Sequence, residues 1–226
     1  MTNLIFNVPV PSITIAGTDA RFPVRRIFCV GRNYEEHAKE FGNNPKDPPF
    51  FFTKPADAVV ESGAKLPFPV ATENLHFEAE LVVAIGIDGS AIDRDAARKH
   101  VFGFAAGNDL TRRDLQTQAK EARRPWDMAK GFDNAAVLGA ITPVAEWNRD
   151  AARITCTLEG VLKQDANITD MIWPVADIIA YLSRLVHLRA GDLIMTGTPA
   201  GVGQIKPGQV CTVAIDGLAE ATVTLG

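Results

Sequence analysis

An apolar run preceded by two carboxylates constrains the fold more than any other feature of this chain. Leu81–Ile87 (LVVAIGI) is rich in β-branched residues and ends at the turn signal Asp88-Gly89, which predicts a buried β-strand. Glu78 and Glu80 lead into this run, and residues two apart on a strand project from the same face. Like charges held this close repel each other unless a cation or a shared proton compensates them. A divalent cation such as Mg²⁺ fits, because it prefers oxygen ligands.

Strand and helix signals do not alternate regularly along the rest of the chain. We predict strands at 26–30, 101–106, 154–158 and 210–215, and helices at 34–41, 92–100, 111–123 and 174–186. Turn signals from Gly and Pro are frequent. This pattern favours a strand-rich α+β fold over a doubly wound parallel sheet. Residues 1–24 are predicted to form an irregular or β-rich arm in front of one large domain.

Composition excludes several classes of protein. The formal net charge is −4 and the sequence pI is about 5.6, which argues against a nucleic-acid partner. No apolar run approaches the ~20 residues that span a bilayer, and the first twenty residues lack the basic start of a signal peptide. The three cysteines have no CxxC spacing, which favours reduced thiols. We therefore expect a soluble cytoplasmic protein without a membrane partner.

A third carboxylate belongs with the glutamate pair. Asp109 lies where the predicted strand 101–106 gives way to a polar helix, a common place for a site residue. Two glutamates and one aspartate leave room for three further oxygen ligands in octahedral coordination. The alternative is that Glu78 and Glu80 lie on a solvated face and that Asp109 only caps the next helix.

His37 and Glu40 form a second pair with catalytic chemistry. They are three residues apart on the predicted helix 34–41 and therefore share a face. A carboxylate beside an imidazole raises its basicity, as a general base requires. A surface histidine near a glutamate is the alternative. The following segment 42–49, rich in Gly, Asn and Pro, is predicted to be a loop that acts as a mobile lid.

Three further features carry polar groups suited to an anionic ligand. Arg113 and Gln116 follow Asp109 at helical spacing, which suits them to binding substrate oxygens. Lys130 lies alone among small and apolar residues, where it could stabilise an oxyanion. Thr196–Gly203 (TGTPAGVG) is not a P-loop, but its amides and hydroxyls could bind a carboxylate. A solvated basic face, a surface lysine and a plain glycine-rich turn are the respective alternatives.

Taken in order, these segments resemble the motifs of the fumarylacetoacetate hydrolase family. The matching segments are Val30–Tyr34 with His37, Lys54-Pro55, His76–Glu80, Asp109–Gln116, Pro125-Trp126, Lys130–Asp133 and Thr196–Gly203. They cover residues 26–216, nearly the whole chain. The resemblance implies the mixed β-sandwich or β-roll of that family's C-terminal domain, with 25–226 as a single catalytic domain. It also implies a homodimer.

The resemblance further implies a role for each of these groups. Glu78, Glu80 and Asp109 would hold Mg²⁺, with Mn²⁺ or Ca²⁺ as alternatives. His37, oriented by Glu40, would take a proton from the attacking water. The remaining groups would contact substrate: Lys130 with Gln116 at the oxyanion, Arg113 and Thr198 at other oxygens, and Arg32, Arg25 or Arg124 at a distal carboxylate by charge alone.

The chain is most similar to the small acylpyruvate-hydrolase branch of the family. This implies metal-dependent hydrolysis of a C–C bond in a small anionic 2-oxo acid, with fumarylpyruvate, an intermediate of gentisate breakdown, as the expected substrate. Two enzymatic alternatives use the same scaffold, namely isomerisation of 2-hydroxyhepta-2,4-diene-1,7-dioate and decarboxylation of oxaloacetate. A non-catalytic binding protein is a third, which the intact acidic trio and His–Glu pair disfavour.

Overall fold

The computed structural model describes residues 5–34 and 47–226. Within these ranges the chain forms strands, three α-helices and three short 3-10 helices. The strands are β1 (Ser12–Thr14), β2 (Arg21–Pro23), β3 (Arg26–Gly31), β4 (Phe50–Lys54), β5 (Val59–Glu61), β6 (Ala64–Leu66), β7 (Leu75–Phe77), β8 (Ala79–Ile85), β9 (Val101–Asp109), β10 (Thr111–Arg112), β11 (Ala136–Leu138), β12 (Thr142–Pro143), β13 (Arg153–Leu158), β14 (Val161–Asn167), β15 (Asp192–Met195), β16 (Gly203–Ile205), β17 (Val210–Ile215) and β18 (Ala221–Leu225). The helices are α1 (Arg113–Glu121), α2 (Asp127–Lys130) and α3 (Val175–Leu185), and the 3-10 helices span Ala56–Ala58, Arg94–His100 and Ile168–Asp170.

A mixed eight-stranded sheet forms the centre of the fold. Its strands are ordered β4-β3-β15-β8-β9-β11-β5, and β12 also pairs with β9. β3 and β15 are parallel, whereas β15, β8 and β9 are antiparallel neighbours. The sheet therefore combines both strand directions. The prediction of a strand-rich α+β fold, as opposed to a doubly wound parallel sheet, is confirmed.

Both faces of β8 are buried, which explains its uninterrupted apolar sequence. Leu81 and Val83 belong to a core that the main sheet shares with a five-stranded sheet, ordered β14-β13-β17-β18-β6. Val82 and Ala84 belong to a second core on the opposite face, where the β1–β2 hairpin contributes Phe22. Residues of the predicted arm thus cover one face of the main sheet. The division between an arm at 1–24 and a domain at 25–226 stays a prediction.

The predicted strands are confirmed, and the helices differ from prediction in type or at their ends. Helix α1 is shorter than the predicted 111–123 helix, because Thr111 and Arg112 pair with β7 as β10. Helix α3 matches the predicted 174–186 helix, with Pro174 as its N-cap. The predicted 92–100 helix was wrong in type, since Arg94–His100 is a 3-10 helix. Among the described residues, no helix is long and apolar enough to cross a membrane.

Several predictions concern residues that lie outside the described ranges. The predicted helix 34–41 does so except for Tyr34, whose backbone forms an isolated bridge with Met171. His37 and Glu40 lie outside as well. Of the predicted lid at 42–49, the structure describes only residues 47–49. These assignments stay predictions.

One buried carboxylate fastens β15 to the start of β3. Asp192 is fully buried and accepts hydrogen bonds from Arg26 Nη2 at 2.7 Å, Arg25 Nη1 at 3.0 Å and the backbone N–H of Arg189 at 2.9 Å. The guanidinium groups themselves are partly exposed. Asp192 is therefore a buried acceptor whose two arginine donors are also accessible to water.

We expect Asp192→Ala to lower the free energy of unfolding by about 1–3 kcal/mol, because the donors on three residues lose their buried acceptor. Urea denaturation measures the change. Asp165→Ala is the matched control, since Asp165 also pairs with an arginine, Arg153, but both partners are about half exposed. Its effect should be much smaller. Equal losses in the two variants would contradict this account.

Candidate metal centre and substrate pocket

Three carboxylates converge at one end of the main sheet. Glu80 lies on β8 and Asp109 ends the neighbouring strand β9, while Glu78 lies in the single-residue gap between β7 and β8. All three are at least 95% buried. One ligand oxygen from each lies within 4.8 Å of the others. The predicted convergence of the three carboxylates is therefore observed. The prediction that Glu78 and Glu80 lie on one continuous strand was wrong, because Glu78 lies between β7 and β8, which belong to different sheets.

Backbone contacts hold Glu78 in its gap position. Its N–H donates to Asn108 Oδ1 at 3.0 Å, and its carbonyl accepts from the N–H of Asp109 at 2.9 Å. The neighbouring Phe77 is buried in the main core. β9 thus delivers one acidic side chain and fixes the backbone of another. Because the chain passes from one sheet to another at Glu78, this side chain is directed toward the same point as Glu80.

The carboxylate of Glu80 is in an environment that disfavours its charge. Burial raises its pKa well above the usual value, and the neighbouring carboxylates of Asp109 and Glu78 raise it further. The N–H of Gly197 donates to Glu80 Oε2 at 2.7 Å and acts in the opposite direction. A cation bound between the three carboxylates would remove the repulsion.

Three cationic side chains already face the trio. Lys130 Nζ lies 2.7 Å from both Glu78 Oε2 and Asp109 Oδ2, and Lys54 Nζ lies 2.6 Å from Asp109 Oδ1. Arg113 donates to Glu78 Oε1 through Nη2. Both lysines are at least 98% buried. The site is therefore an ionic cluster of three carboxylates and three cations.

Lys130 is part of this cluster and not the isolated lysine that its sequence context suggested. Burial alone would lower its pKa, but the charges of Asp109 and Glu78 outweigh burial and raise the pKa above its ordinary value. Lys130 is therefore held in the ammonium form. Its predicted contact with a substrate oxyanion stays a proposal.

Sequence reasoning quoted Lys54 only as part of a motif and assigned it no role. It lies on β4, and its ammonium group also donates to the carbonyl of Leu110 at 3.1 Å and to the carbonyl of Lys130. One buried side chain thus fixes Asp109 and the backbone of two other segments. The local sequence signal for a role of Lys54 is weak: a lysine follows the apolar run Phe50–Phe52 after one threonine.

Helix α1 presents three polar side chains to one pocket. Arg113, Gln116 and Lys120 are spaced by three and four residues and line the pocket together. Arg113 Nη1 donates to Gln116 Oε1 at 2.6 Å, and Arg113 Nε lies 3.4 Å from Nδ1 of His76. The alternative of a solvated basic face does not hold for Arg113, whose side chain is 12% exposed. Burial, then the charges of Arg113 and Arg32, lower the pKa of Lys120 to about 8.

The Thr196–Gly203 turn is fastened to β8 and carries Thr198 into the same pocket. The N–H and the hydroxyl of Thr196 both donate to the carbonyl of Leu81. Gly197, with a φ of 96°, gives its N–H to Glu80, so this amide serves the acidic trio and not a substrate carboxylate. A β-carbon at Gly197 would come within 2.7 Å of Asn33. Glycine is therefore required at this close approach.

Two buried amides that sequence reasoning missed hold this turn in place. Gln164 donates to Thr198 Oγ1 and to the carbonyl of Pro199, both at 2.8 Å, and accepts from the N–H of Ala79 at 3.0 Å. Asn33 donates to the carbonyl of Thr196 at 2.7 Å. Asn33 lies in the quoted segment Val30–Tyr34, but no local pattern shows the contacts of either residue, because their partners are distant in sequence.

The pocket above the trio collects most of the predicted substrate-binding residues. Arg32, Arg113, Gln116, Lys130 and Thr198 line it together with Glu78 and Glu80; the remaining walls are Val30, Gly31, Phe50, Phe52, Lys120 and Trp126. Arg25 does not line it, because its guanidinium pairs with Asp192. Arg124 lines an adjoining pocket. His76 contacts Arg113 and has no contact of its own with the carboxylates.

The residues of the trio fit a hard divalent cation. Each offers a carboxylate oxygen, the ligand type that Mg²⁺ and Mn²⁺ prefer. Asp109 Oδ1 is buried and contacts the ammonium of Lys54 at 2.6 Å. A carboxylate oxygen has two lone pairs, so this contact leaves one lone pair open to a metal. A divalent cation would also offset the repulsion that raises the pKa of Glu80.

The sequence and the fold decide the family. The model of the fumarylacetoacetate (FAA) hydrolase C-terminal domain matches residues 26–225. The chain belongs to the fumarylacetoacetate hydrolase family. A solved structure of fumarylpyruvate hydrolase from Pseudomonas aeruginosa, in complex with Mn²⁺ and pyruvate, is 46% identical to it, with a TM-score of 0.95 over 99% of each chain. The predicted family fold is thereby confirmed.

Similar members of this family are named for different activities. Fumarylpyruvate hydrolase from a Ralstonia species is 42% identical over 177 residues, which is 78% of this chain and 92% of the relative. A mitochondrial oxaloacetate decarboxylase from Dictyostelium discoideum is 39% identical over 198 residues, 86% of this chain and 90% of the relative. Family membership therefore allows both reactions.

We expect Glu80→Gln to abolish Mn²⁺ binding in calorimetry, because it removes one ligand charge. The thermal unfolding midpoint of the metal-free protein should stay the same or rise, since the variant relieves repulsion within the trio. Glu220→Gln, at an exposed position, is the control and should bind Mn²⁺ like the wild type. Wild-type Mn²⁺ affinity in Glu80→Gln would remove this residue from the metal centre.

Lys54→Met tests the ionic cluster. We expect the metal-free variant to lose about 3–5 kcal/mol of unfolding free energy, because Asp109 keeps a buried charge with one cation fewer. Mn²⁺ should stabilise the variant more than it stabilises the wild type, since the ion compensates the same carboxylates. Lys65→Met, at an exposed position on β6, is the control. Equal stabilisation of the wild type, Lys54→Met and Lys65→Met by Mn²⁺ would contradict a role of Lys54 in compensating the carboxylates.

Proposed function

We propose that the protein is a divalent-metal-dependent hydrolase that cleaves the C–C bond of an acylpyruvate, with fumarylpyruvate as its substrate. The observation that carries the proposal is the buried trio of Glu78, Glu80 and Asp109 at the base of a pocket lined by Arg113 and Thr198. Similarity to fumarylpyruvate hydrolases at 42% and 46% identity supports it.

The pyruvyl end of the substrate is placed at the metal centre. A bound divalent cation supplies Lewis-acid stabilisation of negative charge on the oxygens of the 2-oxo acid. The guanidinium of Arg113 and the hydroxyl of Thr198 bind the remaining oxygens. A divalent cation held by Glu78, Glu80 and Asp109 would add positive charge to the cluster, which would favour an anionic substrate. The Pseudomonas aeruginosa relative was solved in complex with Mn²⁺ and pyruvate, which supports binding of a metal and a 2-oxo acid.

Hydrolysis requires a base and an oxyanion donor. His37, oriented by Glu40, takes a proton from water, whose oxygen attacks the distal carbonyl. Lys130 and Gln116 donate to the oxygen that becomes negative. The C–C bond then breaks, its electron pair passes to the pyruvyl fragment as an enolate, and a proton converts this fragment to pyruvate. The acyl group leaves as a carboxylic acid.

Oxaloacetate decarboxylation is the second candidate. The 39% identical decarboxylase favours it, because that reaction needs the same enolate stabilisation without attacking water. Isomerisation of a hydroxymuconate-type acid makes similar demands. We further propose Mg²⁺ as the physiological ion and a homodimer, as the family resemblance implies, and a cytoplasmic location, as the sequence composition indicates.

A panel of substrates separates these reactions. We expect Mg²⁺-dependent hydrolysis of fumarylpyruvate with a higher kcat/KM than for acetylpyruvate, and slower turnover of oxaloacetate and a hydroxymuconate-type substrate. Release of pyruvate is the readout, and a chelator should stop it. Preferred decarboxylation of oxaloacetate would replace the proposed function by the second candidate.

His37→Ala should lose hydrolysis and keep the binding of Mn²⁺ and oxalate, because the base acts on water and not on the metal. Calorimetry with Mn²⁺ and oxalate measures the binding, and pyruvate release measures the rate. His187→Ala, at an exposed position, is the control and should retain both. A His37→Ala enzyme with the wild-type rate would eliminate this residue as the base.

A further inference from the structure

Two cations lie over two aromatic rings on one side of the substrate pocket. Arg32 Cζ is 5.5 Å from the centre of the Phe50 ring, and Lys120 Nζ is 5.1 Å from the Trp126 ring. The two rings meet edge to face, with their centres 5.4 Å apart. These four residues form a cationic aromatic wall. The wall lines the same pocket as the metal centre.

The backbone is specifically adapted to build this wall. Gly31 on β3 pairs with Phe50 on β4, and a β-carbon at Gly31 would lie 2.0 Å from Phe50 Cζ. The ring therefore lies directly over a residue without a side chain. Arg32 follows with a φ of 62°, the left-handed region that non-glycine residues rarely adopt. Strain of this kind concentrates at functional sites, where the surrounding structure maintains it.

Other cations also lie near the pocket. Arg113 and Lys130 contact Glu78, and Lys130 Nζ also lies 4.9 Å from the centre of the Phe52 ring. Arg25 is bonded to Asp192. Arg124 is exposed and lines the adjoining pocket, which shares the rings of Phe50 and Trp126. Arg32 and Lys120 differ from these cations because they lie over the Phe50 and Trp126 rings and line the same pocket as the trio.

We propose that the cationic aromatic wall binds the acyl end of the substrate and selects a flat, unsaturated acyl chain that ends in a carboxylate. Aromatic faces accommodate a planar conjugated chain, and a guanidinium or ammonium group binds its terminal carboxylate. A short uncharged acyl chain such as acetyl would not reach these cations. This inference rests on the proposed function, which places the pyruvyl end at the carboxylate trio.

Lys120→Gln tests the wall through substrate selectivity. The ratio of kcat/KM for fumarylpyruvate to that for acetylpyruvate should fall roughly 10- to 100-fold, as expected for a lost hydrogen bond to a charged group, and mainly through KM. Lys120→Arg should restore most of the ratio. Arg124→Gln is the matched control and should keep it. An unchanged ratio in Lys120→Gln, or a fall in Arg124→Gln instead, overturns the assignment.

A binding experiment on the Mn²⁺-loaded protein decides the same question without turnover. Fumarate should bind more tightly than crotonate, which has the same flat chain and lacks the second carboxylate. Lys120→Gln should reduce the affinity for fumarate to that for crotonate, whereas Arg124→Gln should not. Equal affinities of the wild type for fumarate and crotonate would overturn the assignment of the wall as the site of the terminal carboxylate. Tighter binding of fumarate than of crotonate, without hydrolysis of fumarylpyruvate, would contradict the proposed function but support the assignment of the wall as a carboxylate-binding surface.

Discussion

The site depends on compensation of buried negative charge. Glu78, Glu80 and Asp109 could not remain together in a dry interior without cations, because desolvation and mutual repulsion both oppose their ionisation. Lys54 and Lys130 supply that compensation from β4 and α2, and each contacts Asp109. The cluster thus joins three segments of the fold. It also prepares the pocket for a divalent cation and an anionic ligand, which together restore the charge balance.

The same arrangement separates two ends of the pocket. The carboxylate trio, with Arg113 and Thr198, forms the end suited to a metal and a 2-oxo acid. The cationic aromatic wall is the proposed acyl end of the same pocket. Reaction type would follow from the first end, which the family shares across several chemistries. Choice of acyl group would follow from the second.

Much of the fold was predictable because its strands carry strong local signals. The apolar runs of β3, β8 and β9 appear where the sequence predicts them. The 92–100 segment was wrong in type, because its sequence is compatible with a helix but only the packing around it selects the 3-10 form. Glu78 was placed on a continuous strand, whereas the chain changes sheets at that residue. A change of sheet is a tertiary event that period-two spacing does not reveal.

The sequence by itself determined the chemical groups of the site and, through the resemblance of its motifs, the family. Glu78, Glu80, Asp109 and Lys130 could all be selected from residue type and local context. Only the tertiary structure decided that Lys54, Gln164 and Asn33 hold them in place, and that Lys120 and not Arg25 faces the substrate pocket. The physical reason is distance along the chain: these contacts join residues from 34 to 163 positions apart, which no local pattern encodes.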